Sequence, residues 1–182
     1  MKRLILAVSA LAISAGMAAA ADNPMVGGAE MFADKNIVEN AVNSADHTTL
    51  VAAVKAAGLV DTLMGPGPFT VFAPTNEAFA LIDPAALNQL LLPENKAQLT
   101  QILTCHVVGA EVFSDAIAGM IADGNGVTEV QTLGGCTLKA RTTNGKITLE
   151  DERGRVANVT IADVDQSNGV IHVIDRVLLP AS

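Results

Sequence analysis

The 182-residue chain has no Trp and no Tyr, and only five Phe. Without indole and phenol rings it lacks the usual stacking platforms for bases and sugars, and the cages that hold quaternary cations. Basic residues are scarce as well. Eleven Lys and Arg stand against 19 Asp and Glu, for a formal net charge of −8. Phosphate neutralisation needs clustered Lys and Arg, so a nucleic-acid partner is disfavoured. What the chain has in quantity is aliphatic: half of it is hydrophobic. That is too apolar for a disordered chain and suits one packed domain.

Catalytic motifs are missing too. The chain has no Gly-x-Ser-x-Gly elbow, no Walker A loop and no Gly-x-Gly-x-x-Gly fingerprint. Cys105 and His106 are neighbours, but adjacent strand residues point to opposite faces and share no proton. His47, His106 and His172 form no metal-ligand spacing, and they read as core histidines. Asp163-Val164-Asp165 lacks the rest of a calcium loop. Glu150-Asp151-Glu152, beside Arg153 and Arg155, reads as a solvated turn. No enzyme, metal or cofactor is expected.

The first 21 residues read as a secretory signal peptide. Lys2 and Arg3 precede an apolar run from Leu4 to Met17, which ends in Ala18-Ala19-Ala20-Ala21. Cleavage after Ala20 and after Ala21 fit equally. Losing Lys2 and Arg3 makes the product more acidic still. No later run is long enough to cross a bilayer, so an exported protein is expected, periplasmic or secreted, monomeric and without stable membrane insertion. In an oxidising compartment Cys105 and Cys136 can form one disulfide, worth roughly 3–4 kcal/mol by loop entropy. The alternative is two buried thiols packing as small hydrophobes.

Residues 22–33 read as a flexible lead-in and 34–182 as one domain. Ile37, Val38, Ala41 and Val42 form a helical stripe. Leu50, Val51, Val54 and Ala57 form a second, with Asp46 or Thr48 as its cap and Gly58 as its stop. After the breaker Gly65-Pro66-Gly67-Pro68, Phe69 to Phe72 read as a strand, and Thr75 as the cap of the next helix. Leu99, Ile102 and Leu103 share a helical face. The second half changes period, with β-rich runs at 127–133, 136–142, 146–150, 156–164 and 170–179. Asn144-Gly145 and Asn168-Gly169 mark tight turns between them. The outline is α+β, helices first and mostly antiparallel strands after.

Three segments carry a family resemblance. Phe69 to Phe79 reads Phe-Thr-Val-Phe-Ala-Pro-Thr-Asn-Glu-Ala-Phe. Leu99 to Val108 contains Cys105-His106. Ser167 to Pro180 contains Asn-Gly-Val-Ile-His-Val-Ile-Asp. In order and spacing they resemble the signature blocks of the fasciclin domain. The resemblance implies a β-wedge of two small, mostly antiparallel sheets with the helices packed alongside. It implies structural roles for Thr75, His106, His172, Asn168 and Gly169. It also carries over binding positions, Cys105-His106 and Asp163-Val164, although the family's tyrosine is Cys105 here. The implied function is a secreted, non-catalytic adhesion or matrix module whose partner is a cell-surface or matrix protein of unknown identity. The alternative is a binder of a small apolar ligand, a carotenoid or lipid, held between wedge and helices.

Overall fold

The computed structural model describes residues 23–181. The segment read as a signal peptide, residues 1–21, lies outside them. Within the stretch expected as a lead-in, β1 (Met25–Val26) and β2 (Ala29–Glu30) form a small hairpin. Val26 and the following Met31 are buried against the helical core.

The helices come first, as expected. Helix α1 (Ile37–Ala41) starts in a capping box: the Glu39 amide donates to the Asn36 side chain, and the Asn36 amide donates to the Glu39 carboxylate. Helix α2 (Thr48–Ala57) ends at Gly58, which turns left-handed at φ 70°. Neither Asp46 nor Thr48 caps it. Asn76 does so from a distance, its Oδ1 accepting the Thr49 amide at 3.0 Å while its Nδ2 donates to the Ala45 carbonyl at 2.8 Å. A short α3 (Val60–Leu63) precedes strand β3 (Phe69–Pro74). Thr75 caps α4 (Asn76–Ala80) through the Ala78 amide. Then come α5 (Pro84–Leu90), with Pro84 in its first turn, and α6 (Lys96–Thr104).

Strand β4 (Val107–Val108) follows, and then a helix the sequence reading missed, α7 (Ser114–Asp123). Its only buried residues, Ile117 and Ile121, are too few to stand out as a period. The rest is strand: β5 (Thr128–Gln131), β6 (Thr137–Thr143), β7 (Lys146–Glu150), β8 (Val156–Gln166) and β9 (Gly169–Ile174). Asn144 and Gly145 join β6 to β7 with φ of 52° and 76°, as a tight twisted hairpin demands.

The expectation of two small sheets is corrected. One mixed seven-stranded sheet runs in the order β4-β3-β9-β8-β7-β6-β5. The joint is β8. Its first residues pair with β7 and its remainder with β9, across two register shifts between Val159 and Val164. A bulged strand bends without breaking, so it serves both halves at once. The pairing is antiparallel except between β3 and β9.

The sheet curls until its ends meet. Beyond β5, the Leu133 amide donates to the Val107 carbonyl of β4 at 2.8 Å, and the Gly134 amide to Thr104 at 3.0 Å. Cys105 and Cys136 are bridged at this seam, with Cα atoms 5.3 Å apart. Two cores result. One lies between the helices and the sheet and holds Leu50, Ala53, Val71, Leu103, Ile171 and Val173. The other fills the curl under α7 and holds Phe72, Ile117, Leu138, Leu149 and Ile174. Residues along β3 and β9 alternate between them, which is why both strands read as unbroken apolar runs.

The seam makes a prediction. Replacing both cysteines by Ser lowers the unfolding free energy by about 3 kcal/mol in urea denaturation. Thiol titration of the denatured, unreduced protein finds no free thiol.

Candidate functional site

The positions singled out by the motifs form a chain of contacts across the centre of the sheet. Cys105 is the C-cap of helix α6 and not part of a strand, so His106 sits at a helix exit. The His106 carbonyl accepts the Phe72 amide of β3 at 2.8 Å. Its ring is buried. Nδ1–H donates to the Ile102 carbonyl one turn back at 2.8 Å, and Nε2 accepts the Leu178 amide at 2.9 Å. Burial holds its pKa down to about 4, against the opposing pull of the Ile102 carbonyl and of Asp151.

His172 lies on β9 directly opposite Phe72, in parallel register. The two rings stack with centroids 5.7 Å apart. This imidazole holds the other tautomer. Nε2–H donates to the Val112 carbonyl at 2.8 Å, and Nδ1 accepts the Asp163 amide at 3.2 Å. Burial lowers its pKa too, with the Val112 carbonyl and Asp163 working against that. Asp163 sits in the bulge of β8 at φ 58°, a left-handed conformation that Asp tolerates. Its carboxylate accepts the Ser114 amide at 2.6 Å and the Ser114 hydroxyl, holding the start of α7. The third histidine, His47, bonds Ser44 Oγ through Nδ1 at 2.9 Å, and its pKa is lowered by burial.

Ser114, Asp163 and His172 are the residue types of a hydrolytic triad in the wrong order. In that machinery the imidazole bridges serine and carboxylate. Here the hydroxyl meets the carboxylate directly, and both imidazole nitrogens are committed to backbone groups. The arrangement positions a loop and a helix and activates no nucleophile.

Of the four carried-over binding positions, Cys105, His106 and Val164 are buried and Asp163 is exposed. The network links His106 to Asp163 by way of Phe72 and His172.

The remaining motif residues build the last turn. The Asn168 Oδ1 accepts the Ile37 amide of α1 at 3.0 Å, and its Nδ2 donates to Leu63 at 2.8 Å and Gly65 at 2.9 Å. Gly169 has φ 151°, and a Cβ there would collide with the Phe69 carbonyl. A glycine is required by both backbone and space.

Residues 45–180 match the fasciclin domain family. The chain belongs to the fasciclin family. It is 49% identical over 144 residues to protein sll1483 of Synechocystis sp., covering 79% of this chain and 73% of that protein. Immunogenic protein MPT70 of Mycobacterium tuberculosis is 34% identical over 145 residues, covering 77% of this chain and 66% of its own. A solved fasciclin domain pair from the insect cell adhesion molecule fasciclin I superposes with a TM-score of 0.70 at 20% identity. That superposition covers 80% of this chain and 51% of the domain pair, and it establishes the fold alone.

The fasciclin domain also contains a site that the sequence reading took for solvated turn. Asp151 is buried. Its carboxylate accepts the amides of Arg153, Arg155 and Leu179, and takes Arg155 Nε and Nη2 at 3.0 and 2.7 Å. Burial alone would raise its pKa. The Leu179 amide and Arg155 outweigh that and hold it below the ordinary carboxylate value. Arg155 then donates to the Val177 carbonyl at 3.0 Å. The available signal was Asp-x-Arg-Gly-Arg: a turn-forming Asp with an arginine four residues on.

Two predictions follow the network. The unfolded His106 imidazole takes up its proton near pH 6.5, while the folded one waits until about pH 4. Its contribution to stability is therefore complete above pH 6.5, drains by about 1.4 kcal/mol per pH unit on acidification, and levels off below about pH 4. A His106→Gln variant, followed by urea denaturation across that window, loses this part of the pH slope. Asp151→Ala leaves the half-buried Arg155 side chain and the amides of Arg153, Arg155 and Leu179 without their acceptor, and costs about 3 kcal/mol in the same assay.

Proposed function

We propose that this fasciclin protein is an exported, non-catalytic interaction module that binds a cell-surface or matrix protein as a monomer. Family membership carries the reading, and a relative of the same fold is described as a cell adhesion molecule. Fold does not fix function, so the residues must agree with it. They do. Both cysteines are joined in the disulfide, and all three histidines are buried and hydrogen-bonded. Such groups hold a scaffold and leave recognition to the surface. Export through a signal peptide at residues 1–21 accords with the disulfide, since cytosolic thiols stay reduced.

Within this reading Asp163 makes the contact, and Cys105, His106 and Val164 shape its setting. Asp163 is exposed at a bulge, and its carboxylate retains acceptor capacity beyond the Ser114 bonds.

A second reading, the small apolar ligand, is favoured by an apolar cavity of about 40 Å³ between α1, α2, α3, α6 and β3. Val54, Leu63, Val71 and Leu103 line it. A void of this size takes a pigment or lipid tail only if a helix moves outward.

Immobilised mature protein captures its partner from the envelope or surroundings of the source organism, and Asp163→Asn, which tolerates the left-handed backbone and keeps an acceptor for Ser114, reduces the capture about tenfold while leaving the fold intact by circular dichroism. Equal capture by the variant removes Asp163 from the interface. A visible spectrum and solvent extract of protein from its native source test the second reading: a colourless, lipid-free sample excludes it.

A further inference from the structure

An open groove of about 410 Å³ lies between α5, α6 and the C-terminal segment. Ile82, Leu90, Ile102, Leu179 and Pro180 give it an apolar strip, the amides Gln89, Asn95 and Gln98 share the lining, and Arg153 stands among them. Arg153 is held in place. Its Nε–H donates to the Pro180 carbonyl at 2.7 Å and its amide to Asp151 Oδ1 at 3.0 Å. The two terminal guanidinium nitrogens have no carboxylate partner among the described residues.

Nearby acids are already committed. Asp151 is taken by Arg155, and the two oxygens of Glu152 accept the amides of Thr137 and Ala181. No acidic residue lines the groove, in a chain that has 19 of them. An exposed cation tethered at Nε, with no ion-pair partner and a strip of apolar side chains beside it, is complementary to an anion that carries an apolar body. Helix α5, which forms one side, contributes no fully buried residue, so it is thinly anchored and able to adjust.

We propose that this groove binds a carboxylate with an aliphatic tail, a medium-chain fatty acid, with the headgroup on Arg153 and the tail along Ile82, Leu90 and Ile102. The planar guanidinium fork offers two parallel N–H groups to a carboxylate. An exposed ion pair alone is weak, so the tail supplies the affinity and Arg153 the orientation and choice of headgroup. The volume lies in the range of small-molecule sites, about 300–1,000 Å³. The site is separate from the internal cavity: Ile102 of α6 faces the groove, and its neighbour Leu103 faces the cavity. It stands apart from the adhesion reading, so either can fail alone.

The test is titration of the full exported protein with sodium decanoate, below its micellar concentration, followed by calorimetry and amide NMR shifts. Saturable one-site binding is expected, with shifts confined to residues 82–102, 153 and 178–181. Decanol should bind about threefold to fivefold more weakly. Arg153→Gln should weaken decanoate by the same factor and leave decanol unchanged, and Leu90→Glu, which places a like charge on an outer wall, should abolish saturation. Absence of saturable binding, unchanged affinity in both variants, or shifts centred on α1, α2 and α3 would overturn the assignment.

Discussion

The fold depends on one strand with no exposed side. All six residues of β9 are buried, and both of its edges are hydrogen-bonded, to β3 on one side and β8 on the other. Its side chains alternate between the helical core and the core inside the curl. A strand so placed must satisfy every polar group it carries, because an unpaired one in that setting is costly. That is the physical reason His172 is neutral and bonded at both nitrogens. The same constraint reaches His106, whose carbonyl anchors β3 and whose ring catches the chain soon after β9 ends.

Past β9 the described residues make no further strand, and the segment is secured by side chains. His106, Asp151 and Glu152 accept the amides of Leu178, Leu179 and Ala181, while Arg153 and Arg155 take the carbonyls of Pro180 and Val177. A segment without a ladder partner still has to place its backbone groups, and here a charged turn from between β7 and β8 does so. The acidic run that looked like surface is a clamp. At the other end of β9, Asn168 performs the matching task by fastening the β8–β9 turn to α1 and α3. The buried Asn40–Gln166 pair adds a further polar link between α1 and β8.

Much of this was legible in the sequence because it is local. Thr75, Gly58, Asn144-Gly145 and the strands after them follow from turn and cap chemistry that acts over a few residues. The residues alone mark Asn168-Gly169 as a turn and His106 and His172 as core histidines, but what each of them fastens is not legible, since their partners lie far along the chain. Asn76 and Asp151 were missed for the same reason: nothing within four residues of Asn76 shows that it will cap α2. The sheet count failed on a single strand. An eleven-residue run with two irregular registers looks like one ordinary strand, and only the pairing shows that it joins two halves.

The parallel pairing of Phe69 with Gly169 has a consequence in time. Those residues stand roughly a hundred positions apart, so the central ladder closes a long loop before any of its contacts is rewarded. Topologies of this kind fold slowly for their size. Until β9 is available, β3 keeps an unpaired apolar edge, which is the feature that seeds aggregation. The protein therefore depends on β9 being present and intact. A chain that stops short of Gly169 would lose the part that covers its first long strand and remain a substrate for proteases.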